Sequence, residues 1–190
     1  MVNAVREFQP QQAHLWSRAE YEHIVEVGGF HPAARLELLD GEIIDMSPQK
    51  STHASACDLV EAALRACVFD DAYVRTQKPL AIDEVSEPEP DVAVVPGNAR
   101  DYVEHHPTTA LLIVEVADSS LDYDRHRKSR VYARNAIPEY WIVNLRDRVL
   151  EVHREPVAGA FQRIDALGSS QELSPLAAPD CIVAVADLLP

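Results

Sequence analysis

Glycine and cysteine are scarce in this 190-residue chain, and long apolar runs are missing. Only six glycines occur, and none is grouped as in a phosphate-binding loop. The three cysteines, Cys57, Cys67 and Cys181, form no Cys-x-x-Cys pair, which argues against a zinc finger. No apolar segment approaches the ~20 residues of a membrane span, and residues 1–10 lack the apolar core of a signal peptide. We therefore expect a cytoplasmic protein in a reducing setting, with no membrane partner.

Positive charge is also in short supply. Lysine and arginine together number 17 against 31 acidic residues, which gives a formal net charge of −14. Such a balance argues against a protein that covers DNA or an anionic membrane with a broad basic surface. The charge is unevenly distributed, however, because residues 101–150 hold seven basic and eight acidic side chains. A local nucleic-acid contact therefore stays open.

Hydrophobic periodicity predicts one α/β domain. Ser17 and Glu20 form a capping box at the start of a helix over 17–27. Asp40-Gly41 between two apolar stretches predicts a tight β-hairpin. The further predicted elements are a helix capped by Thr52 and running to about 69, strands at 72–82, 91–95 and 111–117, a helix at 121–136, and strands at 139–144, 148–154 and 161–165. This order indicates a mixed β-sheet flanked by helices, preceded by an N-terminal helix and a β-hairpin.

Two carboxylates occur where apolar residues dominate. Glu115 interrupts an apolar strand, and an isolated buried carboxylate needs a cationic partner, a proton or a metal ion. A strand-end salt bridge and a metal or acid–base role are both open for it. Asp91 follows Pro90 and either caps a strand or joins Glu115, if the strands at 91–95 and 111–117 are neighbours. Converging carboxylate oxygens would suit Mg²⁺ or Mn²⁺.

A basic helix follows the strand of Glu115. Residues 125–134 contain five lysines or arginines and no acidic residue. The helix is either a solvated face, with Asp124 paired to Lys128, or a source of phosphate contacts. In the second case Lys128 would orient or deprotonate an attacking water, or stabilise developing negative charge. Tyr132 lies on the same helix face as Lys128.

Glu37 in the hairpin and His53 near the start of the second helix complete an ordered series. The series comprises Arg35, Glu37, Asp40-Gly41, Met46-Ser47-Pro48, His53, Pro90-Asp91, Glu115-Val116, Asp124, Lys128, Tyr132 and Ile137-Pro138. It resembles the PD-(D/E)XK nuclease superfamily and, more closely, the Uma-two type family of restriction endonucleases. The resemblance covers about residues 35–145.

The resemblance implies a restriction-endonuclease-like core within a single domain of residues 1–190. It also implies Mg²⁺, for which Mn²⁺ can substitute, held by Asp91, Glu115 and the Val116 carbonyl. The catalytic residues that it implies are Glu37, Asp91, Glu115 and Lys128, and the supporting candidates are His53, Tyr132 and Arg125. In the superfamily pattern the lysine follows the glutamate by two residues, whereas position 117 here is Ala. Lys128 on the next helix would have to take that place.

Three functions are consistent with these observations. The first is a Mg²⁺-dependent endonuclease that hydrolyses DNA phosphodiester bonds, as a homodimer if both strands are cut. The second is a catalytically inactive binding or scaffold protein that keeps the nuclease fold, which the net charge of −14 favours. The third is a phosphodiesterase acting on RNA or nucleotides.

Overall fold

The computed structural model describes residues 13–190 of the chain, which form strands, helices and helical turns. Residues 1–10, for which we expect no signal peptide, lie outside it. The elements are α1 (Arg18–Glu26), β1 (Leu36–Leu39), β2 (Glu42–Asp45), α2 (Ser51–Ala66), β3 (Ala72–Thr76), β4 (Val92–Pro96), a 3-10 turn (Ala99–Tyr102), β5 (Leu112–Ala117), α3 (Leu121–Tyr123), a π-helical turn (Asp124–Lys128), α4 (Ser129–Arg134), β6 (Glu139–Asn144), β7 (Val149–Val157), β8 (Ala160–Gly168), β9 (Glu172–Leu173), β10 (Val183–Ala184) and a second 3-10 turn (Val185–Leu188). Within these residues, none of the helices has the length and apolar character needed to cross a bilayer.

The main sheet is mixed, as the sequence predicts. Its six strands lie in the order β3-β4-β5-β6-β7-β8. β5 and β6 are parallel, and the other neighbours are antiparallel. Parallel neighbours need a crossover connection, which the helical segment of residues 121–134 provides. The β1–β2 hairpin forms a separate small sheet.

β5 is buried on both faces, in agreement with its nearly continuous apolar sequence. Leu112 and Val114 belong to the cluster that contains the apolar face of α2. Ile113 and Ala117 belong to the cluster on the opposite face, which contains residues of α4. Because side chains alternate along a strand, Glu115 shares the face of Ile113 and Ala117. This alternation brings its carboxylate to the helical segment that follows β5.

The local elements at the N-terminal end form where short-range chemistry predicts them. Ser17 caps α1, and the reciprocal bond from Glu20 completes the capping box. The hairpin turn has positive φ at both central residues, 54° at Asp40 and 76° at Gly41, as a tight two-residue turn requires. The cap predicted for the second helix is wrong, because α2 begins at Ser51 and no side chain caps its N-terminus.

Two predicted elements are shorter or less regular than expected. β3 ends at Thr76 rather than near 82, because Gln77 adopts a positive φ of 48° and Pro79 follows. The predicted helix over 121–136 is helical only to Arg134, and its middle is a π turn rather than an α-helix.

The C-terminal segment covers the core and is covalently attached to it. Val183, Val185 and Leu188 are buried against the α2 side of the sheet. Cys67 and Cys181 form a disulfide with a Cα–Cα distance of 5.5 Å across 114 residues of sequence. This pairing departs from the expectation of a reducing setting, and it depends on tertiary contacts that sequence spacing does not reveal.

Candidate active site

Three of the predicted acidic residues converge at one end of the sheet. The side chains of Glu37, Asp91 and Glu115 are nearly inaccessible to solvent. Asp91 Oδ2 accepts a hydrogen bond from the Val116 N–H at 2.8 Å, and the Asp91 N–H donates to Glu115 Oε2 at 3.4 Å. Glu37 Oε2 accepts from the Glu89 N–H at 3.2 Å. The antiparallel pairing of β4 with β5 positions the carboxylates of Asp91 and Glu115, and the hairpin strand β1 carries Glu37.

Lys128 enters this group from the helical segment. Its Nζ lies 2.9 Å from Glu115 Oε1 and 3.3 Å from Glu37 Oε2. The Tyr132 hydroxyl donates to the same Glu115 oxygen at 2.7 Å. The structure therefore brings a lysine to the glutamate although Ala117 occupies the strand position of the superfamily lysine. A π turn, which is frequent at functional sites, carries Lys128 at its end.

His53, on α2, lies next to Asp91. Its Nε2 is 3.3 Å from Asp91 Oδ2. The hydrogen bond to Asp91 raises the pKa of His53 despite partial burial. Burial alone would raise the pKa of Asp91, but the hydrogen bond and charge of His53 outweigh it, so the pKa of Asp91 is lowered. Asp91 is thus held ionised.

The site contains more buried carboxyl groups than cationic groups. Four buried carboxylates, those of Glu37, Asp91, Glu115 and Asp124, surround the single ammonium of Lys128. Burial raises the pKa of Glu115 to about 8 and that of Asp124 to about 6. Burial alone would lower the pKa of Lys128, but the charges of Glu115 and Glu37 raise it well above its ordinary value. A divalent cation would offset the remaining negative charge, so the donor set fits such an ion.

The oxygen donors also have the chemistry that Mg²⁺ and Mn²⁺ require. Asp91 and Glu115 supply carboxylate oxygens at adjacent strand positions, and Val116, whose backbone carbonyl is a further oxygen donor, lines the same cleft. Hard cations prefer such oxygens together with water. These three residues are therefore the ones that could hold the ion.

Asp124 is a site residue that the sequence analysis did not assign. It lines the same cleft and accepts a hydrogen bond from the Ser120 hydroxyl at 2.7 Å. Its spacing of four residues from Lys128 indicated proximity, but that spacing was interpreted as a solvated helix face. Burial of the helix start distinguishes the two cases, and that burial depends on the tertiary fold.

The four carboxyl groups line an open cleft of about 400 Å³. Arg35 and Lys50 line its walls, and Lys50 pairs with Asp118 at 2.9 Å. A ligand that enters here meets cations at the rim and carboxylates at the floor.

Most arginines of the basic helix are held by acidic residues rather than directed into the cleft. Arg125, a predicted supporting residue, donates to both carboxylate oxygens of Glu151 at 2.9 and 2.6 Å, away from the cleft lining. Arg127 and Arg134 pair with acidic side chains that include Asp40. The phosphate contacts expected from this helix are therefore not preformed at these three positions.

Two comparisons with known proteins find matches over most of the chain. The profile of the family Uma2, described as "Putative restriction endonuclease", matches residues 18–186. Among curated proteins no match is found. A similar solved structure is that of "a putative nuclease belonging to DUF820 from Anabaena variabilis ATCC 29413", with a TM-score of 0.69 and 13% sequence identity over 87% of this chain and 96% of that chain. This likeness establishes a shared α/β fold. The family profile spans well over half of the chain, so the chain belongs to the Uma2 family.

Proposed function

We propose that this protein is a Mg²⁺-dependent endonuclease that hydrolyses DNA phosphodiester bonds. The observation that carries the proposal is the group of four buried carboxylates around Lys128 at the floor of an open cleft. The cationic partners of these four carboxyl groups are Lys128 and His53, so the acids outnumber them. The surplus of buried acid costs stability and is therefore better explained by a cation-binding role.

Each residue of the site has a separate task in this proposal. Asp91, Glu115 and the Val116 carbonyl hold the ion. Bound Mg²⁺ would supply positive charge to the phosphate and lower the pKa of a water molecule. Lys128, fixed between Glu115 and Glu37, donates a hydrogen bond to the attacking water or to a phosphate oxygen in the transition state. Its bonds to two carboxylates limit its freedom, so its ammonium is already oriented before substrate binds.

Tyr132 and His53 are positioning residues in the same proposal. The Tyr132 hydroxyl fixes one oxygen of Glu115, which leaves the other oxygen directed towards Asp91. His53 keeps Asp91 ionised through its hydrogen bond. Glu37 shares the Lys128 ammonium and adds negative charge beside the ion.

The distribution of charge limits how DNA would be held. A net charge of −14 opposes a broad phosphate-binding surface, and the arginines at 125, 127 and 134 are engaged in ion pairs. Arg35 and Lys50 at the cleft walls are the cations best located for phosphates beside the scissile bond. We therefore expect binding that is local to the cleft, dependent on the divalent ion, and weakened by salt.

Cleavage of plasmid and oligonucleotide DNA in Mg²⁺ or Mn²⁺ tests the proposal. Asp91→Ala and Glu115→Ala should abolish cleavage, whereas Asp122→Ala, which removes an exposed carboxylate near the same helix start, should retain it. Activity that survives both site substitutions would come from a contaminant. Cleavage of RNA or nucleotides instead of DNA would change the substrate, and absence of both metal binding and cleavage would favour the non-catalytic scaffold.

The setting and assembly of the enzyme belong to the same proposal. We propose that residues 1–190 form a single domain and that two copies associate, since two DNA strands need two sites; light scattering measures the assembly. We also propose a cytoplasmic location. Because the Cys67–Cys181 disulfide is typical of oxidising compartments, thiol counting in fresh lysate tests that location directly.

A further inference from the structure

His53, Cys57 and Asp91 form a cluster that the nuclease proposal uses only in part. His53 and Cys57 lie one turn apart on α2, and Cys57 Sγ is 3.5 Å from His53 Nδ1. Asp91 Oδ2 is 3.3 Å from the other ring nitrogen of His53. One potential ligand atom from each residue lies within 4.8 Å of those of the other two. Among residues 13–190, this is the one group of three or more such side chains that meets this distance.

The spacing on the helix explains why the two side chains meet. Residues four apart on an α-helix lie on the same face, so His53 and Cys57 project together towards the start of β4. Asp91 immediately precedes β4 and supplies a carboxylate from a separate element. Because the three residues come from two elements of the core, binding of an ion requires side-chain rotation but no movement of the backbone.

The separation between Cys57 and His53 matches that expected for two ligands of one zinc ion. Ligands at ~2.3 Å for sulfur and ~2.1 Å for nitrogen, at a tetrahedral angle, lie roughly 3.6 Å apart. The observed distance between Cys57 Sγ and His53 Nδ1 is 3.5 Å. Since one imidazole gives a single nitrogen to an ion, a modest rotation of the ring or of the Asp91 carboxylate would complete the set. Three protein ligands leave a fourth position for water.

These ligands differ in chemistry from the oxygen donors of Asp91, Glu115 and Val116, which we call the oxygen site. Thiolate and imidazole select Zn²⁺ and related transition metals, whereas Mg²⁺ takes oxygen donors. Cys57 is free of any disulfide and buried, and nothing in the proposed hydrolysis uses it. Burial raises the pKa of its thiol, so the group stays protonated until an ion binds and the proton passes to solvent.

We propose that His53, Cys57 and Asp91 form a binding site for a Zn²⁺-type divalent ion, adjacent to the oxygen site and sharing Asp91 with it. An ion in this site takes the carboxylate that the oxygen site also needs. Zn²⁺ binding therefore competes with Mg²⁺ binding. The proposal goes beyond the nuclease function, and its test requires no nucleic acid.

Titration of the purified chain with Co²⁺, a spectroscopic substitute for Zn²⁺, tests the site. Wild type should bind one Co²⁺ with tetrahedral visible bands and a near-ultraviolet thiolate-to-cobalt absorption. Zn²⁺ should abolish both features, and excess Mg²⁺ should weaken them only slightly. Cys57→Ser should remove the thiolate absorption and reduce Zn²⁺ affinity in calorimetry by at least about tenfold.

The matched control removes the other two cysteines. The double variant Cys67→Ser and Cys181→Ser should keep the thiolate absorption, because these sulfurs form a disulfide elsewhere in the fold. Circular dichroism verifies folding, and Cys57→Ala serves if the serine variant unfolds. A folded wild type without thiolate absorption, or an absorption that persists without Cys57, would overturn the proposal. Absence of DNA cleavage with an intact cobalt spectrum would reject the nuclease function alone.

Discussion

Replacement of Glu115 by glutamine should stabilise the metal-free protein. Glu115 is 3% exposed, and burial raises its pKa from 4.5 to about 8. Between these two values the folded state keeps a proton that the unfolded state has lost. The free energy of unfolding of wild type therefore falls as the pH rises through this window. Glutamine keeps an amide oxygen for Lys128 and Tyr132 but has no proton to lose, so this pH dependence should disappear.

The size of the effect follows from the pKa difference. The interval from 4.5 to about 8, at 1.36 kcal/mol per pH unit, gives an upper bound of about 5 kcal/mol. Glu115→Gln and wild type should be nearly equal in stability near pH 4.5. At pH 8 and above the variant should be more stable by up to this amount. Urea unfolding in EDTA at both pH values measures the difference.

Divalent metal should reduce the stability advantage of Glu115→Gln over wild type. An ion at 100 times its dissociation constant adds about 2.7 kcal/mol to wild type. Glu115→Gln has lost a charged ligand, so Mg²⁺ or Mn²⁺ should stabilise it much less. The comparison separates a carboxylate kept for an ion from one kept for packing.

Glu139 provides the matched control for a buried carboxylate. It is also inaccessible, but it accepts hydrogen bonds from Arg154, Trp141 and the Leu176 N–H, which satisfy both of its oxygens. Glu139→Gln should therefore destabilise the protein by about 3–5 kcal/mol, because it leaves the partner arginine without its counter-charge. If Glu115→Gln is likewise less stable than wild type at pH 8 without metal, the reasoning about surplus negative charge is wrong.

Three further predictions concern other parts of the molecule. Lys128→Met should lower the turnover number for DNA cleavage by about 10²–10³-fold. Mg²⁺ binding in calorimetry should not weaken, because the substitution removes a positive charge beside the ion. Weaker Mg²⁺ binding would mark the lysine as structural. His153 is 2% exposed, lacks hydrogen-bond partners at both ring nitrogens, and has a pKa that burial lowers from 6.5 to about 4. Its contribution to the free energy of unfolding should be complete above pH 6.5 and fall by on the order of 3 kcal/mol towards pH 4, a loss that should be absent in His153→Leu during acid unfolding. Cys181→Ser should lower the free energy of unfolding by about 2–4 kcal/mol and make it insensitive to reductant, and an unchanged urea midpoint would contradict this.

Features determined by neighbouring residues were the ones that the sequence predicted well. The capping box of Ser17 and the turn at Asp40-Gly41 depend on side chains within a few positions, and both form as predicted. The mixed sheet follows from the order and apolar character of the strands. The proximity of Asp91 to Glu115 required in addition that β4 and β5 be neighbours, which they are.

Features determined by the tertiary fold were missed. Asp124 and Cys57 became recognisable only when the packing of their helices was known. Cys67 meets Cys181 through the closure of a long loop, which no local pattern encodes. Lys128 was assigned from the family resemblance, but its reach to Glu37 depends on how the β-hairpin packs on the helix.

Because of the π turn Asp124–Lys128, the geometry of the site depends on the number of residues in this helical segment. Such a turn is equivalent to one residue inserted into an α-helix, and each α-helical residue rotates the next side chain by about 100°. Deleting one residue here would turn Tyr132 relative to Asp124 and separate the two groups that now flank Glu115. Lineages of this fold could therefore exchange side chains along the helix more readily than they could lose a residue from it. The spacing between the strand of Glu115 and the helix of Tyr132 would be under selection in its own right.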